Sequence, residues 1–254
     1  MLKKVKKLIY LWTAKQTELR LVSKTALFLV SIVLIHALGF HWWTVGIFLV
    51  SALWAYASAS IERKAFQASF LILLVTSILL IQRLDTWDFT AFWEALIIVG
   101  IGILYFLFIG LLDLLFQNRR SVYEAGTTIL VFFTILSIAH LISSDTIWAF
   151  TLVLVVFISL LMREHVRIEG ASKKKSIAIG IASALIIGEL AWIVSFLPLH
   201  ILSFTAFIVL IYLMLKTVLG AHREGRLDVK NSLTQALIFV CIILIILGTG
   251  MWSI

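Results

Sequence analysis

Charge is scarce in this sequence. Only 13% of residues are Asp, Glu, Lys or Arg against 62% that are hydrophobic, which is about half the charged fraction of a typical globular chain. A water-soluble fold cannot be built on that ratio. Proline is almost missing too, with Pro198 the single instance, which argues against the proline-interrupted, unwound helices that many secondary transporters place at their binding sites. Cysteine is reduced to Cys241, so neither an intramolecular disulfide nor a Cys-x-x-Cys redox or zinc pattern can form. There is no HExxH, no GxSxG nucleophile turn, no GxxxxGK phosphate loop, and no lysine in the middle of a late apolar run that could hold retinal. No cofactor, metal or catalytic group is therefore implied, and an enzyme is the least favoured class.

What the sequence has in abundance is unbroken apolar runs. In lipid every backbone N–H and C=O must be satisfied internally, which leaves helices or a closed barrel, and barrel strands would alternate in segments of about 10 residues. The runs here do not alternate, so the chain is read as an all-α integral membrane protein. At about 20 residues per crossing it divides into nine expected spans: 22–38, 42–61, 65–81, 91–116, 121–142, 146–162, 176–197, 199–219 and 232–252. The connection at His41, the segment 143–145 and Pro198 are tight turns, and 82–90 joins the remaining pair, which predicts four hairpins plus a terminal helix. No connection exceeds about 16 residues, too few for an independently stable soluble domain.

Lysine and arginine orient the array, because short translocated loops lack them. Of the 21 in the chain, only Arg83 falls on the other side from Lys3 through Lys24, Arg63, Lys64, Arg119, Arg120, the 163–175 group and Lys216 through Lys230. This places the N-terminus in the cytoplasm and the C-terminus outside. Trp42, Trp43, Trp87, Trp93, Trp148 and Trp252 then gather at the outer ends, where indoles favour the headgroup layer. The net charge of +8 is spread between spans and forms no basic face on a folded domain, so nucleic acid is not an expected partner.

Residues 1–21 read as a separate basic amphipathic segment lying on anionic lipid at the cytoplasmic face, with Leu2, Val5, Leu8, Ile9, Trp12 and Leu19 on one side and lysines on the other. It lacks the small-x-small cleavage site of a signal peptide. Residues 22–254 form a single polytopic domain.

Ionisable residues inside such runs are expensive to insert, roughly 3 kcal/mol at the bilayer centre, and mark function by default. Glu189 is the clearest, about 12 Å below the outer end of the seventh span. Gly180, Ala184 and Gly188 form a small-residue stripe beside it that lets another backbone approach closely, and Trp192 follows on the Glu189 face, so the carboxyl group is expected to point into protein. Glu94 and His140 are the most deeply set members of a looser outer-end group with His36, His41, His200, Asp85, Asp88 and Asp145. No histidine of that group has the helical ligand spacing for a metal. At the inner ends, Asp113, Arg119, Arg120 and Glu124 are expected to form an ion-pair cluster, with Arg120 and Glu124 four residues apart. The charged stretch from Arg163 to Lys175 reads as a solvated loop.

Glu189-Leu190-Ala191-Trp192 through Phe196-Leu197-Pro198, with the apolar helix and the Gly225-Arg226-Leu227 turn that follow, resembles a family of uncharacterised bacterial multi-span membrane proteins grouped as a domain of unknown function. The resemblance covers the C-terminal third and implies a multi-pass protein of the bacterial inner (plasma) membrane, with Glu189, Trp192 and Pro198 as family-like positions and no activity attached.

Three functions fit these features. A carrier or channel for a proton, cation or small solute follows from Glu189; a non-catalytic scaffold or subunit, with a protein partner or a second copy, follows from the small-residue stripe; and an intramembrane enzyme on a lipid-linked substrate would use Glu94, His140 or Glu189 as acid and base. The orientation has its own test. With Cys241 replaced by Ala, a cysteine introduced at His41 should react with an impermeant maleimide on intact cells, and one at Asn118 only after permeabilisation; the reverse pattern overturns the assignment.

Overall fold

The computed structural model describes residues 2–57, 66–84, 90–112, 118–142 and 145–223, together with residues 237, 239, 241–243 and 248. They form α1 (Leu2–Leu38), α2 (Trp42–Ala57), α3 (Gln67–Leu84), α4 (Ala91–Leu112), α5 (Arg119–Ile138), a 3₁₀ turn (Ala139–Leu141), α6 (Ile147–Ile168), α7 (Lys173–Val194) and α8 (Ile201–Arg223). Seven of these helices are long and apolar enough to cross a membrane, and α2 is a shorter apolar helix. The fold is all-α and multi-pass in character, with no strand among the described residues. The expected ninth span lies largely outside the described residues, and Asp113 lies outside them altogether.

The basic segment and the first span share one continuous helix of 37 residues, about 55 Å at 1.5 Å per residue. That length exceeds the roughly 30 Å of a hydrocarbon core, and the apolar part begins at Leu19. The expected boundary between residues 21 and 22 therefore falls inside α1. Gly39, at φ +83°, ends it. The Thr44 hydroxyl opens α2 by accepting the His41 N–H at 3.1 Å, a half capping box.

The chain clusters into two compact units, residues 1–130 and 131–254, with the division inside α5. In the first, α1 packs against α2 and α4, and α3 against α4. Four helices contribute rings to its core: Phe28 of α1 stacks on Tyr105 of α4 at 3.7 Å, with Phe48 of α2 at 5.2 Å and Phe70 of α3 at 6.0 Å from their respective partners. Each such pair adds about 0.5–1.5 kcal/mol beyond burial. Gly102 admits Leu29, whose Cδ2 would stand 2.5 Å from a Cβ placed there. Several hydroxyls inside the spans bond to their own helices, as Thr25 does to the Leu21 carbonyl and Ser77 to that of Leu73.

In the second unit the closest pairing is α6 with α7, across the short connection after Ile168; α7 also packs on α8. Three of the expected hairpins, α1/α2, α3/α4 and α7/α8, pack as pairs, but this tightest one was not among them. Its cause is the glycine stripe. A Cβ at Gly180 would stand 2.8 Å from the Ser159 carbonyl oxygen, and one at Gly188 would stand 2.5 Å from Val155 Cγ2. Phe150 of α6 also meets Phe204 of α8 at 5.7 Å.

One correction concerns α6. It was expected to stop at Met162, with a solvated loop from Arg163, yet it continues to Ile168 and buries Glu164 and His165. A hydropathy reading stops at the first charge, whereas a helix stops where its carbonyls are capped. Here Gly170, at φ +90°, closes a Schellman motif: its N–H bonds the Arg167 carbonyl and that of Ala171 bonds Val166. Ser172 then caps α7 by accepting the Lys175 N–H.

Substituting Gly180 by Ala should destabilise the protein by about 1–3 kcal/mol, because the obstructing atom is backbone. Gly46→Ala, where nothing lies within 4 Å, should leave the thermal midpoint in detergent unchanged. Equal midpoints for the two variants would contradict the close approach.

Candidate functional site

The α6–α7 contact decides where Glu189 points. Gly180, Ser183, Ala184, Ile187, Gly188 and Ala191 are the buried residues of α7 around the seam, and Glu189 lies about 100° around the helix from Gly188. It therefore emerges at the edge of the seam instead of pointing into protein. The residue is exposed, and so are Leu185, Trp192 and Ile193. The expectation of an inward carboxyl group fails because the small residues, not the carboxyl, own the packed face.

At that edge lies a groove of about 340 Å³, lined by Thr151 and Val155 of α6 and by Leu185, Gly188, Glu189, Trp192 and Ile193 of α7. Positions 185, 188, 189 and 192 follow helical spacing, so α7 supplies one wall and Gly188 leaves the floor open. Among the described residues Glu189 is the only ionisable one in the lining. The Thr151 hydroxyl donates to the Ile147 carbonyl at 3.0 Å and so is engaged on its own helix. No hydrogen bond or ion pair to Glu189 exists among the described residues. The residue sits five positions from the α7 terminus at Val194, about 7.5 Å along the axis.

The other expected residues are dispersed. Glu94 opens α4 and meets His36 near the end of α1, with 3.5 Å between carboxylate oxygen and Nε2 and each side chain about a quarter exposed. Its partner is thus an imidazole from the same unit, and the spacing that brings them together is a tertiary one that no local pattern contains. His140 lies in the 3₁₀ turn of the second unit, and its side chain is outside the described residues. Trp192 does join Glu189 in the groove. Arg120 and Glu124 form the expected pair at 2.9 Å. Arg119 donates to the Leu111 carbonyl at 2.8 Å and lies over the Phe66 ring at 5.9 Å, and Asp113, the remaining member of the expected cluster, is outside the described residues.

Sequence reasoning missed a buried polar group at the basic end of α6. His165 Nε2 lies 3.6 Å from Glu169 Oε1, with side chains 4% and 5% exposed, and Glu164 is buried beside them in sequence. The signal was available as a histidine and a glutamate four residues apart, but it was hidden by the assignment of both to a loop.

Compared with known proteins, the chain has no significant match to a family model, a curated protein or a solved structure.

These environments predict opposite stability effects. Glu169→Ala strips a partner from a buried imidazole and should cost about 1–3 kcal/mol. Glu189→Gln removes no hydrogen bond or ion pair among the described residues and should change stability by less than about 0.5 kcal/mol. Thermal unfolding of the two variants in the same detergent checks the contrast; a destabilised Glu189→Gln would mean that the carboxyl group is held by protein.

Proposed function

We propose that this chain is a membrane carrier or channel-like protein for a proton, cation or small solute, with Glu189 as the group that binds and releases it. One observation carries the reading: a carboxyl group without a partner among the described residues, exposed on a span within an apolar groove. Placing such a group there is costly, and proteins keep intramembrane carboxyls where they exchange protons or cations. A side chain fastened by hydrogen bonds could not do this without breaking them.

The scaffold reading loses one support, because Gly180 and Gly188 of the stripe already face α6. The enzyme reading has no paired acid and base around Glu189 among the described residues. Within the carrier proposal the topology is nine spans with the N-terminus cytoplasmic, the location is the bacterial inner membrane, the relatives are the uncharacterised multi-span family, and the basic face contacts anionic lipid. Lys173, Lys174 and Lys175 support that orientation. They sit at the α7 N-terminus, where the helix dipole disfavours cations by about 0.3–1 kcal/mol each, while an anionic leaflet returns about 1 kcal/mol per lysine.

Proteoliposomes loaded with a pH-sensitive dye test the proposal. Wild-type protein should dissipate an imposed pH gradient or couple it to cation movement, and Glu189→Gln should reduce the rate by tenfold or more, about 1.4 kcal/mol in the barrier. Equal rates for Gln and Glu would defeat the proposal.

A further inference from the structure

We propose that the groove at Glu189 binds a lipophilic organic cation, a compact aromatic or branched amine or phosphonium that enters from the bilayer side. This deepens the carrier reading and rests on it, since it names the substrate class of the same site. The argument is one of elimination by chemistry. An anion is disfavoured by the carboxylate, the one ionisable group in the lining among the described residues. An inorganic cation such as sodium, potassium or calcium needs several oxygen ligands to replace its hydration shell, and among the described residues the lining offers a single carboxylate and a Thr151 hydroxyl already donating to the Ile147 carbonyl. A bare proton needs no cavity, yet the groove holds about 340 Å³, at the lower end of the range for small-molecule sites. A neutral lipid chain would gain nothing from a carboxylate that is expensive to keep there.

A delocalised or shielded cation satisfies all of these features. Its apolar groups replace lipid against Val155, Leu185 and Ile193, its charge neutralises Glu189, and the Trp192 indole three residues along the same helix face can interact with the cation through its ring. Trp192 is 38% exposed, Leu185 51% and Ile193 62%, so among the described residues the groove opens at the surface of α7. Such a solute partitions into the membrane before it binds, which is how a site with this opening would be reached.

The test uses the full chain in lipid nanodiscs with radiolabelled tetraphenylphosphonium, a permanently charged probe that cannot lose its charge by deprotonation. Wild-type protein should bind it saturably and show quenching of tryptophan fluorescence. Glu189→Gln should weaken binding about 30-fold or more, as expected for removing one partner of a desolvated charge pair. Leu185→Trp, which fills the groove and leaves the carboxyl group in place, should weaken binding as well. Absence of saturable wild-type binding, or binding indifferent to both substitutions, overturns the inference. So does native mass spectrometry that finds a second polypeptide seated in stoichiometric amount whose removal is required before the probe binds. The two readings separate cleanly: Glu189-dependent proton flux without tetraphenylphosphonium binding leaves the carrier and removes this substrate class, whereas Glu189-dependent binding without flux of probe or proton removes the carrier and leaves the binding site.

Discussion

The second unit depends on the close approach of α6 to α7. In lipid, apolar side chains gain nothing by leaving their solvent, so helices associate through tight packing and polar contacts. The glycines of α7 supply the first. With Gly180 pressed toward the Ser159 carbonyl and Gly188 under Val155, the two helices touch along their backbones. Everything near Glu189 is set by that seam: which face is spent on packing, which face remains, and why a shallow groove persists where Gly188 has no side chain to fill it.

The first unit is held differently. Its helices meet through large rings, with Phe48, Phe28, Tyr105 and Phe70 in contact one after the other, and it carries the His36–Glu94 pair near the ends of α1 and α4. Aromatic stacking fills volume with few rotatable bonds, whereas the glycine seam removes volume. The two packing modes leave different surfaces, and the glycine seam leaves the Glu189 carboxyl group at its edge.

Much of the architecture was legible in the sequence. Long apolar runs mark the helices, and most boundaries agree within a few residues because charges and turn residues such as Gly39 and Pro198 coincide with the ends of hydrogen-bonded backbone. α1 and α6 are the exceptions: α1 runs unbroken through the boundary expected at residue 21, and α6 ignores the hydropathy of Arg163 and Glu164 until Gly170 supplies a cap. The stripe at spacing four was also legible, but its partner was not: which helix fills a stripe is a tertiary choice. Glu189 stood out from its residue type alone, while its outward direction depended on knowing that the stripe beside it faces α6. His36 with Glu94 was invisible for the same reason, being a contact between helices far apart in sequence.

The central claim is that the Glu189 carboxyl group is reachable from within the bilayer, and chemical modification tests it most directly. A membrane-soluble carbodiimide couples to a carboxylic acid that it can reach in the apolar phase. Peptide mass spectrometry of protein treated in lipid should find the adduct at Glu189, at a rate that falls when an excess of tetraphenylphosphonium is present. An unmodified Glu189 under conditions that label other carboxyl groups of the chain would contradict the account, because it would place the group behind protein and not in an open groove.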